Sequence, residues 1–192
     1  MPAALITRDE AVARLGDVFR EHGFEGTSLT AITAATGLGK GSLYNYFPGG
    51  KDEMAAAVLT HVDDWFEREI YAPLRAASAV EVPAAIAAMF DNTARYFHGG
   101  GRICLVGAFA LDATRDRFAA TVQDYFRRWI DALAAALEKA GVQQPTGLAE
   151  TTVAGIQGAL VLARALNEPA TFVRQVGMLH ANLRAVLAGA LA

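Results

Sequence analysis

Cysteine is all but missing. Cys104 is the single thiol in 192 residues, which excludes an intrachain disulfide and any zinc site built from several cysteines, so no metal or cofactor is expected. Proline is scarce too, and the six prolines fall mostly between apolar-periodic segments, leaving long stretches free to be helical. Charge is thin, at 19% of residues with a net of −3, so the chain as a whole has no electrostatic pull toward nucleic acid. No apolar run approaches the roughly 18 residues of a membrane span. Arg8, Asp9, Glu10 and Arg14 interrupt any leader-like start, and the expected setting is the cytoplasm, away from the membrane. Catalytic patterns are absent as well. His22, His61, His98 and His180 are scattered, with no His-Glu-x-x-His, no Glu three residues before a histidine, no Gly-x-Ser-x-Gly and no phosphate loop. An enzyme is not expected.

What the chain does have is alanine, leucine and apolar residues at helical spacing. At 53% hydrophobic it is too apolar for disorder, and its composition reads as all-α. The 3.6-residue period predicts a first helix over residues 8–22, opened by a Thr7/Glu10 capping box and closed by Gly23. Two short helices follow at 29–36 and 40–46, split by Gly37-Leu38-Gly39, with Pro48 fixing the end of the second. A long helix is predicted from Lys51 to about Ala72, before Pro73. Further helices are predicted at 84–97, 115–140, 148–166 and 171–191, with a short helical connector at 103–112 after Gly99-Gly100-Gly101. Short helices give way to long ones near Lys51, so two domains are expected, at 1–50 and 51–192.

The stretch Lys-Gly-Ser-Leu-Tyr-Asn-Tyr-Phe at 40–47 is too short to be a stable helix alone. On a helical wheel Leu43, Phe47 and in part Tyr46 share one side, where they can pack on Val18, Phe19, Leu29 and Ile32. Gly41, Tyr44 and Asn45 share the other, with Ser42 at its edge and Lys40 at the start. A glycine there costs about 1 kcal/mol against alanine, which makes sense where another surface must come close. A recognition helix in the major groove has that need, and Lys40, Ser42, Tyr44, Asn45 and Tyr46 have groups that bases and phosphates accept. Thr27, Ser28 and Thr30 open the preceding helix, where hydroxyls and free N–H groups suit a phosphate. No acidic residue occurs from Gly26 to Lys51. The expected contact face is positive although the chain is not.

The pattern Thr-x-x-x-Ile, Gly-Leu-Gly-Lys-Gly-Ser-Leu-Tyr-Asn-Tyr-Phe, then Gly-Lys-Asp-Glu-Met resembles the N-terminal DNA-binding domain of TetR-type transcriptional regulators. The resemblance covers about a quarter of the chain. It implies base-facing roles for Lys40, Gly41 and Tyr44, phosphate-facing roles for Asn45, Tyr46, Thr27 and Lys51, and internal roles for Leu43 and Phe47. The Pro48-Gly49-Gly50-Lys51 turn and the Cys-Leu-Val-Gly-Ala connector are similar to a branch that includes repressors of drug-efflux genes. Gly39 departs from the family's capping serine, and a glycine cap is weaker.

The resemblance further implies a homodimer on a double-stranded, pseudo-palindromic operator, released by a small, largely apolar effector. The last 42 residues carry only Arg164, Glu168, Arg174 and Arg184 as charges, so the two final helices either close the monomer core or meet a second copy. The family arrangement favours the second, with Gly155, Gly158, Ala159, Leu162, Phe172, Val176, Leu179 and Leu183 as expected interface. Eleven of seventeen aromatics lie between Trp65 and Trp129. In the family the corresponding helices surround a ligand, which gives Trp65, Phe90, Phe109, Tyr125 and Trp129 as expected lining, with Asn92 and His98 as polar contacts. The rivals are a helix-turn-helix used for protein binding, and a ligand-binding helical protein that does not bind DNA.

Overall fold

The computed structural model describes residues 6–190, and every element among them is helical. Helix α1 (Arg8–Gly26) opens on the expected capping box: the Thr7 hydroxyl accepts from the Glu10 N–H, and the Glu10 carboxylate accepts from the Thr7 N–H at 2.7 Å. Those donors, the backbone N–H first, hold the Glu10 carboxyl below its ordinary pKa. At Gly23 the chain leaves helical geometry at φ 67°, as the glycine foretold, and one further turn then seats Phe24 in the core. Helices α2 (Leu29–Thr36) and α3 (Lys40–Tyr46) have the expected bounds. Ser28 caps α2, Gly37 closes it in the left-handed region, and Gly39 opens α3 with no side-chain cap.

Helix α4 (Gly50–Phe66) does not stop before Pro73. A π-turn (Glu67–Tyr71) carries the chain into α5 (Ala72–Ala76), and the Ala72 N–H donates to the Glu67 carbonyl five residues back. This wider turn relieves the clash proline makes in an ordinary helix. Helix α6 (Val82–Tyr96) is followed by a 3-10 turn (His98–Gly100), then α7 (Leu105–Leu111), the expected connector. His98, Gly99 and Gly100 all have positive φ. A Cβ at Gly100 would stand 2.5 Å from the Phe172 Cβ and 2.9 Å from the Pro169 carbonyl, so only glycine fits. The helix expected at 115–140 begins later, because Asp112 caps a separate 3-10 turn (Ala113–Asp116) before α8 (Ala119–Lys139). Helices α9 (Pro145–Ala165) and α10 (Pro169–Ala190) each start on a proline, which is suited to a first turn. Leu191, expected to end the last helix, lies outside the described residues.

The chain divides into two compact units, with divisions inside α4, before α7 and inside α8. The first holds residues 6–64 with Leu105–Val122, so it takes in more than the 1–50 segment singled out by helix length. Its core is an aromatic knot in which Phe24 stacks on Phe19 at 6.0 Å and meets Phe109 and Phe118 edge-on at 6.2 and 5.6 Å. The second holds Trp65–Cys104 with residues 123–190. Its centre is Phe66, fully buried among Tyr96, Tyr125 and Trp129 at 5.0, 4.9 and 5.1 Å. At its edge Glu67 accepts from both Arg75 and Arg128. Burial alone would raise the Glu67 pKa, but those two hydrogen bonds outweigh it and hold the carboxyl low. Among the described residues no helix is long and apolar enough to cross a membrane, and no cluster of His, Cys, Asp and Glu is arranged for a metal.

Candidate nucleic-acid interface

Helix α3 is kept helical by what lies beneath it. Leu43 and Phe47 are both completely buried, and Ile32, Val18 and Phe19 are buried with them in the same unit. Its other side is open: Lys40, Gly41, Tyr44 and Asn45 are exposed, and Ser42 is half-buried at the edge. Tyr44 keeps 49% of its surface, unusual for an aromatic of a small unit, and its ring lies beside the Pro48–Gly50 turn. A Cβ at Gly41 would meet nothing within 4 Å, so no packing in the chain demands glycine there. The residue leaves room for something from outside.

The C-terminal ends of α2 and α3 are braced by α1 and the residue before its cap. The Tyr46 hydroxyl donates to the Ile6 carbonyl at 3.0 Å, the Arg8 guanidinium lies 4.9 Å over the Phe47 ring, and Arg14 donates to the Thr36 carbonyl at 3.3 Å. Ser28 and Thr30 are exposed at the start of α2, with the Ser28 hydroxyl accepting from the Ala31 N–H. Thr27 stands apart from the exposed group. It is 3% exposed, its hydroxyl donates to the Gly23 carbonyl at 2.6 Å, and its N–H donates to Phe24.

Lys51 is also engaged inside the unit. Its ammonium donates to the Phe24 carbonyl at 2.9 Å, reaches the Glu25 and Thr27 carbonyls at 3.5 Å, and lies 4.5 Å over the Phe24 ring. The carbonyl end of α1 carries the negative pole of the helix dipole, so a cation there is a helix cap. Arg117 flanks the same ring at 4.9 Å while pairing with Asp52. Lys51→Met, which keeps the stem and removes the charge, is therefore expected to lower stability by about 1–2 kcal/mol. Urea unfolding followed by circular dichroism checks this; an unchanged midpoint would mean that Lys51 serves only a partner outside the chain.

The residues expected to line a ligand site separate. Trp65, Phe90, Asn92, His98, Tyr125 and Trp129 belong to the second unit, but Phe109 belongs to the first, locked in the knot with Phe19 and Phe24. Phe90 is buried and stacks on His180 at 4.8 Å. Asn92 donates to the Glu69 carbonyl at 2.8 Å, and His98 is exposed. Aromatics that spacing did not single out, Phe66, Tyr96 and Phe97, hold the cluster together.

The expected interface residues also divide. Phe172, Val176, Leu183 and Ala159 are buried within the chain itself, because the α9–α10 pair closes its own core with them. Gly155 serves that packing too, since a Cβ there would meet Leu179 at 2.8 Å. Gly158 and Leu162 do face outward, and with them the structure exposes Val161, Leu166, Val173, Met178 and Val186.

Residues 17–58 match the family described as bacterial regulatory proteins, tetR family, and residues 83–176 match the C-terminal domain of LmrA/YxaF-like transcriptional regulators. The HTH-type transcriptional regulator LmrA of Bacillus subtilis (strain 168) is 31% identical over 64 residues, which is 33% of this chain and 34% of that protein. That match thus spans about a third of the relative's own length. The HTH-type transcriptional repressor DhaR of Mycobacterium sp. (strain GP1) is 27% identical over 80% of each chain. Among solved structures, a cysteine mutant of the TetR family regulator CifR, complexed with a 26-base-pair operator duplex, is similar with a TM-score of 0.70. It is 26% identical over 96% of this chain and 99% of that one.

Proposed function

Since this chain belongs to the TetR family of transcriptional regulators and carries an LmrA/YxaF-like C-terminal domain, we propose that it is a cytoplasmic repressor that holds a pseudo-palindromic operator as a homodimer and leaves it when a small, largely apolar effector binds. Residues 1–50 read the DNA, and residues 51–192 take the effector and form the dimer. The observation that carries this reading is the two-sided α3: a side chain layer at zero exposure beneath, and Lys40, Gly41, Tyr44 and Asn45 in the open above. A twofold dimer sets two such helices about 34–36 Å apart, one turn of the duplex. The outward apolar side chains of α9 and α10 supply the surface for the second copy. Trp65, Phe90, Tyr125 and Trp129 are the aromatic walls of the effector site. The effector shifts the dimer only by binding its two states with different affinity.

The test is fluorescence anisotropy with duplex DNA from immediately upstream of the chain's own gene, titrated with salt against an unrelated duplex. Specific binding with a steep salt slope is expected. Tyr44→Ala should remove about 1–3 kcal/mol of specific affinity and leave non-specific binding nearly unchanged. An unchanged specific affinity would displace Tyr44 from the reading face, and a flat salt response would favour a protein partner instead.

A further inference from the structure

The family pattern gives Tyr46 to a phosphate, but its hydroxyl already has a partner. It donates to the Ile6 carbonyl at 3.0 Å, 40 residues back along the chain. A phenol has one hydrogen to give, and a phosphate oxygen at neutral pH only accepts. While Ile6 holds that hydrogen, Tyr46 has none for DNA. The contact is also returned: Nε of Arg8 donates to the Tyr46 carbonyl at 3.4 Å, and the same guanidinium covers the Phe47 ring. Each segment binds the other's backbone with a side chain, so the approach to α1 and the end of α3 are clasped together. The neighbouring helices follow the same plan. None of α1, α2 and α3 has a basic residue in its own last turn, and each takes one from elsewhere: Lys51 on α1, Arg14 on α2 and Arg8 on α3.

What the clasp adds follows from how little else orients α3. The helix has seven residues and no side-chain cap at Gly39. Leu43 and Phe47 plug it into the core, but they stand four residues apart and lie nearly one above the other along one line of the helix. Two plugs on a line set the depth of a helix and leave its roll about its own axis weakly fixed. Tyr46 projects about 100° around the axis from Phe47. It is half-buried, with its ring edge-on to Phe47 at 6.3 Å, and a tether at that place resists roll. Roll matters on the open side, where a turn of about 10° moves side-chain tips about 1 Å, given a helix radius of about 5–6 Å. A good hydrogen bond tolerates a spread of only about 0.5 Å. Base edges present fixed donors and acceptors, so sequence reading by Tyr44 and Asn45 fails first. Phosphate contacts carry no sequence.

We infer that Tyr46 is a positioning residue for sequence reading. Its bond to the Ile6 carbonyl, together with Arg8 on the Tyr46 carbonyl and the Phe47 ring, sets the roll of α3 and so the aim of Tyr44 and Asn45, while Tyr46 itself leaves the DNA untouched. The inference rests on the DNA-reading role proposed above and adds how that face is aimed.

The experiment is anisotropy of the full-length protein, Tyr46→Phe, Arg8→Gln and the double variant, each on the upstream duplex and on an unrelated one, well below every melting point. Tyr46→Phe keeps the ring and removes only the hydroxyl. It is expected to weaken the upstream duplex about fivefold, within the range of one lost hydrogen bond, and to hold the unrelated duplex within about twofold. Arg8→Gln should weaken the upstream duplex by a similar factor. The double variant should lose about fivefold again in total, short of the roughly 25-fold that two independent contacts would give. A tyrosine that touches phosphate would weaken both duplexes alike. One that only supports the fold would lower the melting point and leave the ratio of the two affinities unchanged. Either result overturns the inference, as does a double loss equal to the product of the single ones, and all three leave the DNA-reading role standing. Unaltered protein that binds the upstream duplex no better than the unrelated one would overturn that role, and the inference with it.

Discussion

Leu162→Arg is expected to yield a folded chain that no longer dimerises and holds operator DNA at least about a hundredfold more weakly. Leu162 is 48% exposed on α9, amid Val161 and Leu166 and the outward Val173, Met178 and Val186 of α10. An arginine on an exposed helical position changes monomer stability by only about half a kcal/mol. In the middle of an apolar contact between two copies it would be buried without a counter-charge, which costs several kcal/mol. The effect on DNA is larger than the effect on either half-site. Two linked contacts gain about a hundred- to ten-thousandfold over one, and all of that gain goes when the link is cut. Light scattering behind size exclusion reads the mass, and anisotropy reads the operator. A Leu162→Arg chain that still has dimer mass would move the interface off this face. Leu183, buried on the inner side of α10, is the contrast: a charge there should unfold the unit instead of splitting the dimer.

Phe66→Ala should cost about 3–5 kcal/mol of stability, the largest loss expected from any single side chain here. Its ring is fully buried and has six aromatic neighbours, from Tyr125 at 4.9 Å to Phe97 at 6.3 Å, with Trp65, Tyr71, Tyr96 and Trp129 between. Removing it takes away transfer energy and leaves a cavity that rigid rings cannot fill, so relaxation recovers little. In a chain of this size the melting point should fall by about 6–20 °C. Saturating benzene should restore part of the loss, since an apolar cavity of that kind stays dry and takes an apolar guest. A drop of under 1 kcal/mol would mean the cluster collapses around the gap and is looser than its ring distances imply.

The helix-turn-helix was legible because its punctuation is local. Ser28, Gly37, Gly39 and Pro48 each act within a turn of their own position, and α2 and α3 begin and end where those residues place them. Pro73 misled for the same reason: its local rule is sound, but the π-turn before it re-registers the backbone, and nothing within a turn of Pro73 signals that. Partner choice was less legible still. Thr27 and Lys51 have the chemistry of phosphate contacts, yet the Gly23 and Phe24 carbonyls that take their hydrogens lie on another helix or across a kink. In α10 the apolar residues run almost around the axis. Periodicity alone therefore could not tell that Phe172, Val176, Leu183 and Leu187 turn inward while Val173, Met178 and Val186 turn outward.

Phe109 and Phe118 bear on how such regulators can be recombined. They complete the knot around Phe24 although they lie more than eighty residues further along the chain. A graft that moves only the first fifty residues onto a foreign body would leave Phe19 and Phe24 facing whatever side chains the recipient has at those two places. A chimera between relatives is expected to keep this knot intact when the exchanged cassette is discontinuous, carrying Leu105–Val122 along with the N-terminal helices. The unit built around Phe24 is thus defined by contact and not by contiguity.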